Sequence, residues 1–343
     1  MRLSRLGFTC WLAALTLITA LGVAAYAGVP FRDPDTATGP TYVRLPVILL
    51  AALFIDVVPR IIHRSRGRCD VSGTAGEVIR ERLAWPNMQF TLIGLVAWYT
   101  TYASIRNLKG FVPFVNHHVY DVTLERLDRA FMLGHDPAAL LHQLLGTGIA
   151  AQLLSFFYIA WIVLLPFSLA VALVWHRKTF VRSWWVTAVA VDWVLGVAAN
   201  FALPTVGPIY ADPHAFSNLV TTPTSKLQDS MWAERMTVLA NPDAAGVVQN
   251  IAAFPSLHVA IAATACFVAQ WAGLHKLLRV GLWIFLGITS IATVYFGWHY
   301  VSDVVAGLLI GVASAWIGAI ATGHKPNGGV PELRSGARAL QAG

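Results

Sequence analysis

Eight stretches of about 20 mostly apolar residues, the length a helix needs to cross a bilayer, run through the chain. They lie at approximately 6–28, 42–62, 87–105, 148–175, 183–203, 252–272, 278–296 and 300–321. In lipid, each backbone N–H and C=O must find its partner inside the protein, so such stretches become helices. An all-α integral membrane protein with about eight transmembrane helices is therefore expected, and the lipid bilayer is its first partner. Composition agrees: 57% of the 343 residues are hydrophobic and 12% charged, against roughly 25% charged in soluble domains. The net charge of +7 does not point to nucleic acid, because the basic residues sit in short clusters between apolar runs, as positive-inside loops do.

Those clusters set an orientation. MRLSR precedes the first stretch, HRSRGR (63–68) follows the second, and HRK (176–178) with Arg182 follows the fourth. His275, Lys276 and Arg279 follow the sixth, and His324 and Lys325 the eighth. Every second junction is basic, so both termini are expected in the cytoplasm of an integral cell-membrane protein. The connections 29–41, 106–147, 204–251 and 297–299 then lie outside. The first stretch begins like a secretory signal, but its apolar core is longer than a signal's, which favours a retained helix.

Within 106–147, the run DVTLERLDRAFML spaces Val122, Leu124, Leu127 and Phe131 as a helix would. It reads as an amphipathic helix lying in the interface or packed on the bundle surface. Segment 204–251 is rich in Pro, Asn, Asp and Thr and is expected to be mostly loop. The polar, Gly-containing tail after 322 is expected to be disordered. The three cysteines, Cys10, Cys69 and Cys266, have neither metal nor redox spacing. Asp56 stands four residues before Arg60 and is expected to pair with it. Asp192 falls inside the fifth stretch and is read as a structural polar contact, although an intramembrane acid is a functional candidate.

Chemistry collects at two places. In TVYFGWHYVSDVVAGLLIG (293–311), His299 and Asp303 are four apart, one turn apart on one helix face. The acid can then fix the imidazole tautomer and leave the other nitrogen free to attack or to take a proton. An isolated pair of this kind is more often a staple between helix ends. In FPSLH (254–258), Pro255 suits the first turn of a helix. Ser256 and His258 sit where free N–H groups attract an anion, although Ser256 also suits a plain N-cap. Both clusters fall on the same, outer side. Two histidines, one of them oriented by an acid, are a minimal set for phosphoryl transfer: one attacks phosphorus and the other protonates the departing oxygen.

These motifs resemble the type 2 phosphatidic acid phosphatase superfamily, which carries PSxH at one helix start and SR-x5-H-x3-D two helices later. The resemblance covers about residues 85–321. It implies a six-helix catalytic core with two outer loops at 85–322, two N-terminal helices and a basic cytoplasmic loop at 1–84, and a polar cytoplasmic tail at 323–343. It implies that His299 is the nucleophile that forms a phosphohistidine, Asp303 its orienting partner, His258 the general acid and Ser256 a phosphate contact, with no metal or other cofactor. The chain departs from the family pattern in two ways. The SR pair falls at Ala292 and Thr293, and the upstream K-x6-RP motif is replaced by PTVGPIYADP (204–213). A phosphoryl transition state normally has a cation on its oxygens, so another must serve. Arg106 is the first candidate, followed by Lys109, Lys226 and Arg235.

The run Thr293-x-Tyr295-x3-His299-Tyr300-x2-Asp303-x3-Gly307, with Tyr102, Arg106 and Gly134-His135-Asp136-Pro137, is similar to the inositol phosphorylceramide synthase branch. That similarity implies a lipid phosphotransferase that moves a phospho-headgroup, such as phosphoinositol, from a phospholipid to an alcohol. Thr293, Arg106 and Tyr210 would be further substrate contacts. If water is the acceptor, the activity is that of a phosphatase. A transporter with a His/Asp proton relay is the alternative of another class. Against it, the polar groups gather at one face, and no inverted repeat or pair of broken helices is evident.

Overall fold

The computed structural model describes residues 3–34, 41–66, 70–174 and 179–324. The HRK cluster at 176–178, Cys69 and the tail from Lys325 onward lie outside the described residues. The regular structure among the described residues is helical. In chain order the α-helices are α1 (Gly7–Ala27), α2 (Thr41–Ser65), α3 (Val71–Arg82), α4 (Trp85–Val115), α5 (Asp121–Phe131), α6 (Pro137–Leu145) and α7 (Ile149–Val174). Then come α8 (Thr179–Ala202), α9 (Pro208–Ala211), α10 (Pro223–Ala240), α11 (Leu257–Trp271), α12 (Lys276–Tyr295) and α13 (Val301–Ala321).

Six of them, α1, α2, α7, α8, α12 and α13, are long and apolar enough to cross a membrane. The chain is an all-α integral membrane protein. The other two expected spans also form helices, with differences that matter for function. Helix α4 does not stop near residue 105 but continues to Val115, carrying Arg106 and Lys109 on ordered backbone. Helix α11 has only 15 residues, which rise about 22 Å.

Helix α11 packs against α8, α12 and α13. Small residues allow the approach, as at other close helix pairs in membranes. A Cβ on Gly307 would lie 2.5 Å from the Ser256 carbonyl oxygen, and one on Gly311 would lie 2.5 Å from that of Ala260. Asp192 is fully buried beside this seam and accepts a hydrogen bond from the Thr264 hydroxyl at 3.0 Å, which supplies the partner that spacing alone could not name. Helix α1 lies along α4 and α8, where the Thr9 and Thr187 hydroxyls meet at 2.8 Å. Helix α2 packs against α7 and α3. Asp56 pairs with Arg60 at 2.8 Å as expected, and Arg82 joins them at 2.9 Å.

The two long connections correct the sequence reading. Segment 204–251 is not mostly loop, because α9, a 3-10 helix at Pro213–Phe216 and α10 take 4, 4 and 18 of its 48 residues. Thr222 caps that helix reciprocally: its hydroxyl accepts from the Ser225 N–H, and the Ser225 hydroxyl accepts from the Thr222 N–H, with Pro223 opening the first turn. This capping box satisfies two donors that a helix start otherwise leaves open. Helix α5 forms where the spacing placed it, yet it turns a different face inward. Leu124 is buried with Asp121 and Asp128, whereas Val122 and Phe131 are 58% and 71% exposed.

Candidate active site

The loop 296–300 between α12 and α13 presents His299. Its backbone is closed by the Thr293 carbonyl, which accepts from the N–H groups of Trp298 and His299 at 3.0 and 3.2 Å. His299 is 5% exposed, and its Nδ1 meets Asp303 Oδ2 at 3.3 Å. The same oxygen accepts from the Tyr300 N–H at 2.9 Å. Asp303 thus caps its own helix and orients the ring in one arrangement. The FPSLH stretch opens α11 and is tied to α13 by a hydrogen bond from the Ser256 N–H to the Asp303 carbonyl at 3.1 Å. His258, on the first turn, stacks on Tyr158 with centroids 4.8 Å apart and lies 4.2 Å from the Trp161 ring. The rings of His258 and His299 meet edge to face with centroids 5.9 Å apart.

Both histidines line a cavity of about 430 Å³. Its upper wall carries Arg106, Lys109, Tyr210, Glu234, Asn250 and Trp298. Its floor is apolar, with Trp98, Ile162, Leu165, Pro166 and Ile261. From Tyr158 to Pro166 the lining descends eight residues along α7, about 12 Å. Pro34 and Ile48, on and ahead of α2, complete one side. The shape has a polar head and a greasy slot, as a pocket for an amphiphile requires.

Three of the residues expected at the site, His258, His299 and Asp303, come together. Arg106 and Tyr210 also reach the cavity. Arg106 lies over the Tyr102 ring, 5.8 Å from its centroid, and donates to the Pro34 carbonyl at 3.5 Å. The Tyr210 hydroxyl donates to the Gln228 carbonyl at 3.1 Å, and its ring stacks on Trp232. Burial, reinforced by the charge of Asp229, raises the Tyr210 phenol above its ordinary value, so it stays a neutral donor. Burial also raises the Glu234 carboxyl, opposed by Arg106.

Ser256 and Thr293 are placed differently. Ser256 is fully buried and accepts from the Val259 N–H at 3.5 Å, in the position of an N-cap. Thr293 is fully buried too, and its hydroxyl donates to the Ser290 carbonyl within α12. Neither lines the cavity; both shape the loops that do. Of the other expected cations, Arg235 is engaged by Gln249 Oε1 at 3.1 Å and Lys226 is exposed.

Segment 204–211, where the cationic motif was missing, braces both motif loops instead. Thr205 accepts from the N–H groups of Ala253 and Phe254 at 3.0 and 2.7 Å through its carbonyl and hydroxyl. The Ile209 N–H donates to the Gly297 carbonyl at 2.9 Å. Gly207 has φ +100°, and a Cβ there would lie 2.6 Å from the Trp298 carbonyl oxygen, so only glycine fits this crossing.

Sequence reasoning missed two acids, Asp121 and Asp128. The Asp121 carboxylate accepts from the N–H groups of Val206 and Gly207 at 3.0 and 2.8 Å and from the Tyr300 hydroxyl at 3.0 Å. Asp128 accepts from the N–H groups of Val301 and Ser302, the latter at 2.9 Å, and so caps α13 from outside. Burial raises the Asp128 carboxyl above its ordinary value, opposed by those two donors. Their spacing of seven, with Leu124 between, marks one helix face, which the spacing of the apolar residues did not single out.

A family model described as the PAP2 superfamily matches residues 122–317. No curated protein and no solved structure gives a significant match. A helical membrane bundle with paired histidines at one end, matched by this model over more than half its length, belongs to the PAP2 superfamily. Its members are typically phosphatases or phosphotransferases, so a lipid phosphatase or phosphotransferase type of function follows for this chain.

Proposed function

We propose that the protein is a lipid phosphotransferase that moves a phospho-headgroup, such as phosphoinositol, from a phospholipid to an alcohol acceptor at the outer face of the cell membrane. The observation that carries the reading is the pair of facing histidines, one held by Asp303, at the head of a cavity with an apolar floor. His299 attacks phosphorus and the bond to the departing alcohol breaks, while His258 gives that oxygen its proton. The acceptor hydroxyl then gives its proton to His258, its oxygen attacks phosphorus, and the P–N bond breaks. With a lipid phosphomonoester as donor and water as acceptor, the same cycle is that of a phosphatase. Arg106 and Tyr210 hold the headgroup at the cavity mouth. The inositol phosphorylceramide synthase-like motif run favours the alcohol.

Purified protein incubated with labelled phospholipids, with and without inositol, glycerol or a glycolipid, tests this. A new phosphodiester is expected; release of water-soluble phosphate alone would make the protein a phosphatase. His258→Ala and His299→Ala each abolish turnover in a protein that still folds in detergent, and wild-type turnover in either removes the mechanism. Activity persists in EDTA, since the proposed steps use histidine alone as nucleophile and acid; full loss restored by a divalent ion would refute that.

A further inference from the structure

We propose that Lys109 is the cation that holds the phosphoryl oxygens, supplied by α4 rather than by the segment the family model covers. This inference rests on the phosphoryl-transfer reading of the same cavity. Lys109 lies ahead of the matched residues 122–317, on the turn of α4 that follows Arg106. It lines the cavity with both histidines, and its charge acts on His258. Its ammonium has no hydrogen-bond or ion-pair partner among the described residues.

A half-buried ammonium without a counter-ion is unfavourable unless an anion visits.

Arg106, the expected clamp, is engaged elsewhere. It is drawn to Pro34 and Tyr102, and its charge acts on Glu234. Lys109 has no such competing contact. Its chain reaches the cavity because α4 continues past residue 105. The backbone beneath it is held by Gln249, whose side-chain amide donates to the carbonyls of Lys109 and Gly110 at 3.3 and 3.2 Å.

The test compares wild type with Lys109→Met, Lys109→Arg, Lys226→Met and His299→Ala. It measures turnover and inhibition by orthovanadate, a phosphate-shaped probe, with thermal midpoints in detergent as the folding control. Lys109→Met is expected to lose roughly 100-fold in turnover, the scale of one lost oxyanion donor, and to weaken orthovanadate inhibition at least about tenfold. Lys109→Arg restores part of both, and the surface variant Lys226→Met matches wild type. Wild-type orthovanadate inhibition in a folded Lys109→Met protein, with His299→Ala inactive, would overturn the clamp and leave the histidine mechanism standing. A wild-type protein that neither turns over phospholipid nor is inhibited by orthovanadate would overturn both.

Discussion

Asp303 Oδ2 serves the His299 ring and the Tyr300 N–H together, so one atom joins helix start and imidazole. In Asp303→Asn the amide keeps the N–H acceptor but offers the ring an NH2 group, which favours the wrong tautomer. On the proposed mechanism, turnover falls on the order of 10³–10⁴-fold, as for other acids that orient a catalytic histidine, while the thermal midpoint changes little; single-turnover assays in detergent check this. Asp128 acts one step further out. Its raised carboxyl means that the folded protein holds this proton more tightly than the unfolded chain does. Stability therefore falls as pH rises through the window just above the ordinary carboxylate value. Asp128→Asn is expected to flatten that limb of the midpoint-against-pH curve. The proposed catalytic trio was legible because His-x3-Asp and PSLH are local patterns. Asp121 and Asp128 were not, because their partners are backbone N–H groups more than 80 residues away.

At the level of elements, the seam between α11 and α13 fixes the distance between the two histidines. Both obstructions beneath Gly307 and Gly311 are backbone carbonyls, which cannot rotate away as a side chain can. Gly311→Ala is expected to push α11 from α13, with a stability loss of about 1–3 kcal/mol and a drop in turnover, read from thermal midpoints and initial rates together. Apolar periodicity revealed the spans but was blind to α10. That helix turns Thr224, Gln228 and Val238 inward, and Gln228 donates to the Phe296 carbonyl at 2.8 Å. A helix whose buried face is largely polar leaves no hydrophobic stripe to read. Helix α5 formed where its spacing placed it, but that its acids face in was hidden, because α13 and segment 204–207 need acceptors there.

For the molecule as a whole, the part ahead of the matched segment is not an appendage. Asn107 brackets Arg32, accepting from its N–H at 2.9 Å and donating to its carbonyl at 2.8 Å. The Arg32 guanidinium donates to the Pro242 carbonyl at 3.0 Å, across to the end of α10. This strap holds Pro34 at the cavity wall. Asn107→Ala leaves the strap's backbone without partners, so proteolysis near residues 29–34 is expected to quicken and the lipid KM to rise more than kcat falls. That α1 and α2 exist was plain from hydropathy; that Ile48 of α2 and Pro34 ahead of it wall the cavity depends on contacts between distant segments, which no local pattern records.

The shortness of α11 reaches beyond the protein. A rise of about 22 Å is less than a hydrocarbon core of about 30 Å, so this helix does not by itself reach from one headgroup level to the other. If the shortfall lies at the end that carries His258, a lipid has to be lowered into register on the proposed mechanism, and the descent lengthens as the surrounding leaflets thicken. Reconstituted into vesicles of increasing acyl-chain length, the protein is expected to turn over more slowly at constant headgroup composition. A rate indifferent to thickness would place the reactive end level with the surface.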